Sequence, residues 1–164
     1  MKRGLRRGLK RAGSLSLVVL MTFVLSVPFG CAPKTVRIEQ PAPIADKRDN
    51  LIEYAITLLG KPYRNGAKGP KAFDCSGLVH HVYQRFDAPV PVSTEGLSRT
   101  GREVPREEMT AGDIAVFRLK GGYHVGIMIN SLEFIHASSS RGVAIDSIDF
   151  PYWKRSLLHF RRIL

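Results

Sequence analysis

Near residue 113 the apolar residues of this chain change period, from the three-to-four spacing of amphipathic helices to the two-residue spacing of half-buried strands. Upstream, Asp46 to Leu59 reads as a helix with Leu51, Ile52, Ala55, Ile56 and Leu59 on one face, Gly60 at its C′ position and Pro62 stopping its continuation. Lys61–Phe73 is a loop rich in Gly and Pro. A second helix should open at Asp74, a good N-cap, and bury Leu78, Val79, Val82 and Phe86. A short helical turn is expected around Thr94–Thr100, ending at Gly101. Downstream, Ile114–Leu119, His124–Ile129, Glu133–Ala137, Val143–Ile148 and Leu157–Ile163 read as strands, parted by Gly121–Gly122, Asn130–Ser131 and Arg141–Gly142. Helices first and an antiparallel sheet afterwards is the α+β pattern, and 164 residues suffice for one such domain.

The formal net charge of +11 suggests nucleic acid until it is located. Six of the 25 basic residues fall within the first eleven positions, and without residues 1–30 the balance is 19 basic to 14 acidic. A net of +5 no longer argues for a nucleic-acid partner. The basic stretch Met1–Arg11 runs into the apolar Leu15–Phe29, which is short for a membrane span and suited to the core of a secretory signal. The run closes at Gly30–Cys31, which resembles the cleavage site of bacterial lipoproteins, where the cysteine becomes the lipidated first residue. An uncleaved anchor or ordinary cleavage nearby are the alternatives, and each exports the domain to the cell envelope. Residues 31–46, with Pro33, Pro41 and Pro43, read as an extended tether, leaving 47–164 as the domain.

Two cysteines exclude a disulfide scaffold and a four-cysteine zinc site built from this chain alone. Cys75 follows Asp74 in the first turn of the second helix, where the helix dipole favours thiolate over thiol. A buried structural cysteine, or one bridged to Cys31, is the bland alternative. The two histidines of the sheet weigh against it. His124 opens one strand and His136 ends the next, so a hairpin centred on Asn130 pairs them directly on one face. A base and its orienting partner then stand side by side, as a Cys–His–polar triad requires. A zinc site would need a third converging ligand, and no metal is expected. His80 and His81 on the helix read as surface or partly buried residues, His159 has no obvious partner, and Ser138–Ser140 reads as a turn.

The stretches GKPYRNGAKGPKAFDCSGLVHHVY, AGDIAVF, HVGIMI and FIHASSSRGVAI, in this order over roughly residues 49–164, resemble the NlpC-type cell-wall cysteine peptidases. That resemblance implies a papain-like fold, with Cys75 as nucleophile, His124 as general base and His136 as the residue orienting it. It also implies substrate or oxyanion support from Tyr63, Asp74, Ser76, Thr94 and Tyr123, with Asp74 first of all a helix cap. Three positions depart from the family pattern: Ala67 replaces a second glycine, Val92 an arginine, and Tyr123 a serine before the base histidine. The last two are expected near substrate subsites.

The implied activity is hydrolysis of amide bonds in peptidoglycan stem peptides or cross-links by an exported, lipid-anchored monomer, with no cofactor. An amidase or acyltransferase on the same scaffold would share the thioester and differ in acceptor. A catalytically silent wall-binding module is the alternative from another class.

Overall fold

The computed structural model describes residues 44–164. The signal at 1–30, Cys31 and most of the tether lie outside the described residues. Helix α1 (Ile44–Ile56) takes up the last residues of the expected tether and ends earlier than its spacing suggested. Residues 57–60 wind into tight turns, with Leu58 N–H donating to Ala55 and Leu59 N–H to Ile56. These tighter steps rotate the chain. Leu58 is therefore buried with Leu51 and Ala55, whereas Ile56 and Leu59, expected on the inner face, are exposed. Gly60, at φ +76°, turns the chain so that its N–H reaches Val143 O at 2.8 Å.

Helix α2 (Cys75–Arg85) buries Leu78, Val79, Val82 and Tyr83, while Phe86, beyond its end, is half-buried. The turn expected over 94–100 is α3 (Thr94–Leu97). Six strands follow: β1 (Arg102–Val104), β2 (Ile114–Leu119), β3 (Gly122–Met128), β4 (Glu133–Ser138), β5 (Gly142–Ser147) and β6 (Leu157–Arg162), the last preceded by α4 (Pro151–Ser156). They form one sheet in the order β1-β6-β2-β3-β4-β5, and every pairing is antiparallel. The fold is α+β, as the sequence predicts. Strand β1 and helix α4 escaped the sequence reading, because three and six residues are too short to show a period.

The central strands are buried on both faces. Ile114, Val116, Val125, Ile127, Ile135 and Ala137 pack with α1 and α2, whereas Ala115, Phe117, Met128, Phe134 and Phe160 form a second cluster closed by Trp153 of α4. Each fully buried large side chain contributes roughly 1.5–3 kcal/mol. The sheet is thereby clamped between two apolar layers, which fixes the strand ends that carry the site. Among the described residues no helix is long and apolar enough to cross a membrane.

Candidate active site

Asp74 begins the site. Its extended backbone and side chain cap α2, with Oδ1 accepting from Gly77 N–H at 2.6 Å and from the Ser76 hydroxyl at 3.0 Å. Asp74 N–H donates to Ala67 O at 2.8 Å, which presses the 61–73 loop onto the helix start. A Cβ on Gly77 would lie 2.1 Å from Ala67 O, so this position requires glycine. The departure at Ala67 thus falls where the loop touches the helix, not where it lines a cavity. Cys75 is a free, half-buried thiol at the tip of this construction.

His124 and His136 do meet, though not in the register expected. The β3–β4 ladder pairs Ile127 with Ile135 and Met128 with Phe134, so the hairpin is centred one residue beyond Asn130. Asn130 Oδ1 accepts from the N–H groups of Leu132 and Glu133, each at 2.8 Å, and this side-chain turn lengthens the loop. The resulting offset is two residues, which keeps both imidazoles on one face; a single-residue slip would have separated them. The regular pairing also ends before it reaches the histidines. His124 Nε2 and His136 Nδ1 share a hydrogen bond of 2.9 Å, with the rings nearly perpendicular at 83°. Contact between the strands is close at this point, since a Cβ on Gly126 would lie 2.5 Å from the Phe134 ring and 3.1 Å from His136 Cβ.

A cleft of about 410 Å³ opens here, lined by Tyr63, Cys75, Tyr123, His124, His136, Trp153 and the Ser138–Ser140 turn. Tyr63 and Tyr123 are therefore brought to the cysteine and both histidines. Tyr123 is held by the Arg118 guanidinium, 4.7 Å above its ring. Ser76 is buried behind the cleft as a partner of Asp74. Thr94 opens α3, and neither it nor the exposed Val92 is among the residues lining the cleft. His80 Nδ1–H donates to Val90 O at 2.9 Å, His81 bonds the Tyr54 hydroxyl at 2.8 Å, and His159 finds a partner the sequence did not reveal, Ser98 O at 3.0 Å. Among the described residues no group of three or more His, Cys, Asp or Glu is arranged to hold a metal ion.

The electrostatics correct one expectation. Burial first, and then the charge of Asp74, push the Cys75 thiol up; the backbone N–H groups of Ser76, Cys75 and Val125 pull it down without prevailing. Cys75 rests as a thiol, not as a thiolate selected by the helix dipole. Burial, reinforced by the neighbouring His136, pushes His124 down to about 3 against the opposing pull of Asp146. His124 is therefore a neutral imidazole across the physiological range, able to accept a proton. Burial also lowers His136, although its bond to Asp146 works in the other direction. Tyr63 is raised by burial and by the charges of Cys75 and Asp74, so it stays a phenol.

Two residues of this site escaped the sequence reading. Asp146 Oδ2 lies 3.0 Å from His136 Nε2, and Trp153 stacks on His124 at 5.3 Å between centroids and 26° between planes. Asp146 stands ten residues from His136 on another strand, so only the β4–β5 register could have revealed it, and Trp153 arrives on α4, too short to show a period.

Residues 60–162 match the model of the NlpC/P60 family. The chain is 36% identical over 121 residues to a murein DD-endopeptidase MepS/murein LD-carboxypeptidase of Escherichia coli K12, covering 73% of this chain and 64% of that protein's length. A probable endopeptidase NlpC of the same organism is 37% identical over 108 residues, 63% of this chain and 70% of the relative. Among solved structures, an NlpC/P60 family protein from Bacillus cereus superposes with a TM-score of 0.67 at 30% identity, over 71% of this chain and 40% of that one.

Proposed function

The chain belongs to the NlpC/P60 family, and from that premise we propose that it is a cysteine peptidase hydrolysing amide bonds in peptidoglycan stem peptides or their cross-links. The observation that carries this reading is the common cleft of Cys75, at a capped helix start, and a neutral His124 already hydrogen-bonded to His136. As Cys75 Sγ bonds to the amide carbonyl carbon, its proton passes to His124. The carbonyl oxygen takes up the negative charge beside the N–H groups of Cys75 and Ser76. These remain available because Gly77 N–H is held by the Asp74 side chain and Leu78 N–H by the Asp74 carbonyl. His124 then protonates the leaving amine as the C–N bond breaks. Water attacks the thioester, gives its proton to His124, and releases the acid and the Cys75 thiol.

Tyr63 and Tyr123, both in the cleft's lining, are assigned to grip the substrate, and Asp74 to the cap with a secondary role toward a substrate amine. The relatives named as murein endopeptidases support the substrate class. Peptidoglycan lies outside the cytoplasmic membrane, which agrees with the exporting signal at 1–30 and with anchoring through a lipidated Cys31. Muropeptides digested with the purified protein and analysed by mass spectrometry provide the test. Loss of a peptide bond with wild type and none with Cys75→Ala supports the reading, whereas cleavage by Cys75→Ala within tenfold of wild type refutes it. An amidase or acyltransferase would reveal itself in the same spectra through a different severed bond or a new acyl acceptor.

A further inference from the structure

We propose that Asp146 is a positioning residue that sets the tautomers of both histidines and so decides which nitrogen of His124 takes the thiol proton. The inference rests on reading Cys75 as nucleophile and His124 as base. Asp146 Oδ2 is within hydrogen-bonding distance of three donors: Arg141 at 2.6 Å, Trp153 Nε1 at 2.9 Å and His136 Nε2 at 3.0 Å. Burial raises its carboxyl, but the bonds from Arg141, Trp153 and His136 outweigh burial and hold it below the ordinary carboxylate range. It is ionised, and an ionised carboxylate has no proton to give.

Three steps follow. His136 Nε2 must carry the hydrogen that Asp146 accepts. A neutral imidazole carries one hydrogen, so His136 Nδ1 is a lone pair and must itself accept. Its partner at 2.9 Å, His124 Nε2, therefore donates. That leaves Nδ1 of His124 as a lone pair, and it makes no hydrogen bond among the described residues. Each link admits one arrangement, and the base nitrogen is thereby chosen from two side chains away, with only His136 between.

The fold supports the chain at each point. The β4–β5 register pairs His136 with Ala144 and Phe134 with Asp146, so Asp146 stands diagonal to His136 on the same face. Trp153 serves both ends: its Nε1–H fixes the carboxylate, and its ring lies over His124 and edge-on to His136 at 75°. Interposing His136 also keeps the carboxylate one ring away from His124, whose lowered basicity a direct contact would have reversed.

Two substitutions separate the acceptor from the charge. In Asp146→Asn the amide oxygen must face Trp153 and Arg141, which are both donors, so the acceptor survives and only the charge is lost. Asp146→Ala removes the acceptor. The full chain is purified in each form. Its histidine tautomers are read from two-bond ¹⁵N–¹H correlations, and kcat and KM are measured on one muropeptide. Wild type and Asp146→Asn should show both histidines as Nε2–H. Asp146→Ala should show mixed tautomers, with kcat lowered by about 10²–10⁴, toward the loss seen when an orienting triad member is removed, and KM little changed. In Asp146→Asn, kcat should fall less, by about tenfold. Wild-type His124 appearing as Nδ1–H would overturn the proposal, and so would Asp146→Ala with unmixed tautomers and kcat within threefold of wild type. The tautomers are observed without turnover, so these outcomes are distinct from an active Cys75→Ala, which would overturn the peptidase reading itself. Should Asp146→Ala not fold, the wild-type and Asp146→Asn spectra still decide.

Discussion

Lowering the pH from 7 to 5 should destabilise this domain by about 2 kcal/mol through His124 alone, at roughly 1.4 kcal/mol per pH unit for one proton. Burial and the neighbouring His136 hold the folded-state value at about 3, against about 6.5 for an unfolded histidine. The unfolded chain thus binds the proton more tightly. Stability is complete above the unfolded value and is lost as the pH falls through the window between about 6.5 and about 3. His136 and His81, both lowered chiefly by burial, act in the same direction. Asp146 also loses its contribution on acidification, but only below the ordinary carboxylate range and so outside this interval. Urea unfolding followed by far-ultraviolet circular dichroism at the two pH values gives the difference directly. His124→Phe, a ring that stacks on Trp153 without titrating, should flatten the dependence by about one proton, or roughly 2 kcal/mol over the interval. Equal stability at both pH values in wild type, or an undiminished slope in His124→Phe, would refute the buried neutral base.

Because Cys75 rests as a thiol, alkylation by iodoacetamide in the free protein should be slow at neutral pH and should rise above about 8.5, the ordinary thiol value; a rate flat from pH 5 to 9 would indicate a preformed thiolate instead. Gly77→Ala should lower stability by about 1–3 kcal/mol or more by thermal melting, since its Cβ meets Ala67 O at 2.1 Å and backbone cannot yield as a side-chain tip would; an unchanged melting temperature would show that the loop gives way. If Cys31 is the lipidated residue, Cys31→Ala should move the protein from membrane to soluble extracts, whereas unchanged fractionation and mature mass would indicate an uncleaved anchor.

Fold class was legible because the signals for it are long. Helix α2 shows a cap, an apolar face and eleven residues of one period, and the five longer strands each carry enough alternation to be placed within a few residues. The hairpin register was not legible to the residue, because it depends on whether Asn130 acts as an ordinary turn residue or uses its side chain to accept from Leu132 and Glu133. That choice moves the pairing by two positions and leaves the face unchanged. The histidine pair was therefore found for a reason only partly right: parity along the strands, not direct pairing, brings the rings together. Asp146 and Trp153 could not be found this way, since each owes its place to a partner strand or to a helix with no readable period.

The thiol shows the limit of reasoning from one local rule. A helix start favours negative charge by roughly 0.3–1 kcal/mol, less than one pKa unit at about 1.4 kcal/mol. Against it stand the burial of the sulfur and the carboxylate of the residue before it. Asp74 cannot be spared, because its Oδ1 caps α2 at Gly77 and holds Ser76 in place. The group that builds the helix start is thus the group that holds the proposed nucleophile neutral. In the proposed mechanism activation must then come from a base that is itself uncharged before the reaction and has one ring nitrogen uncommitted. A buried His124 meets the first condition, and its Nδ1, with Nε2 committed to His136, meets the second. Apolar packing around the two rings, from Phe117, Phe134 and Trp153, accordingly belongs to the proposed chemistry as well as to the core. Without it His124 would titrate near its ordinary value, and below that pH it would be a cation unable to accept the proton of a thiol that Asp74 keeps from leaving unaided.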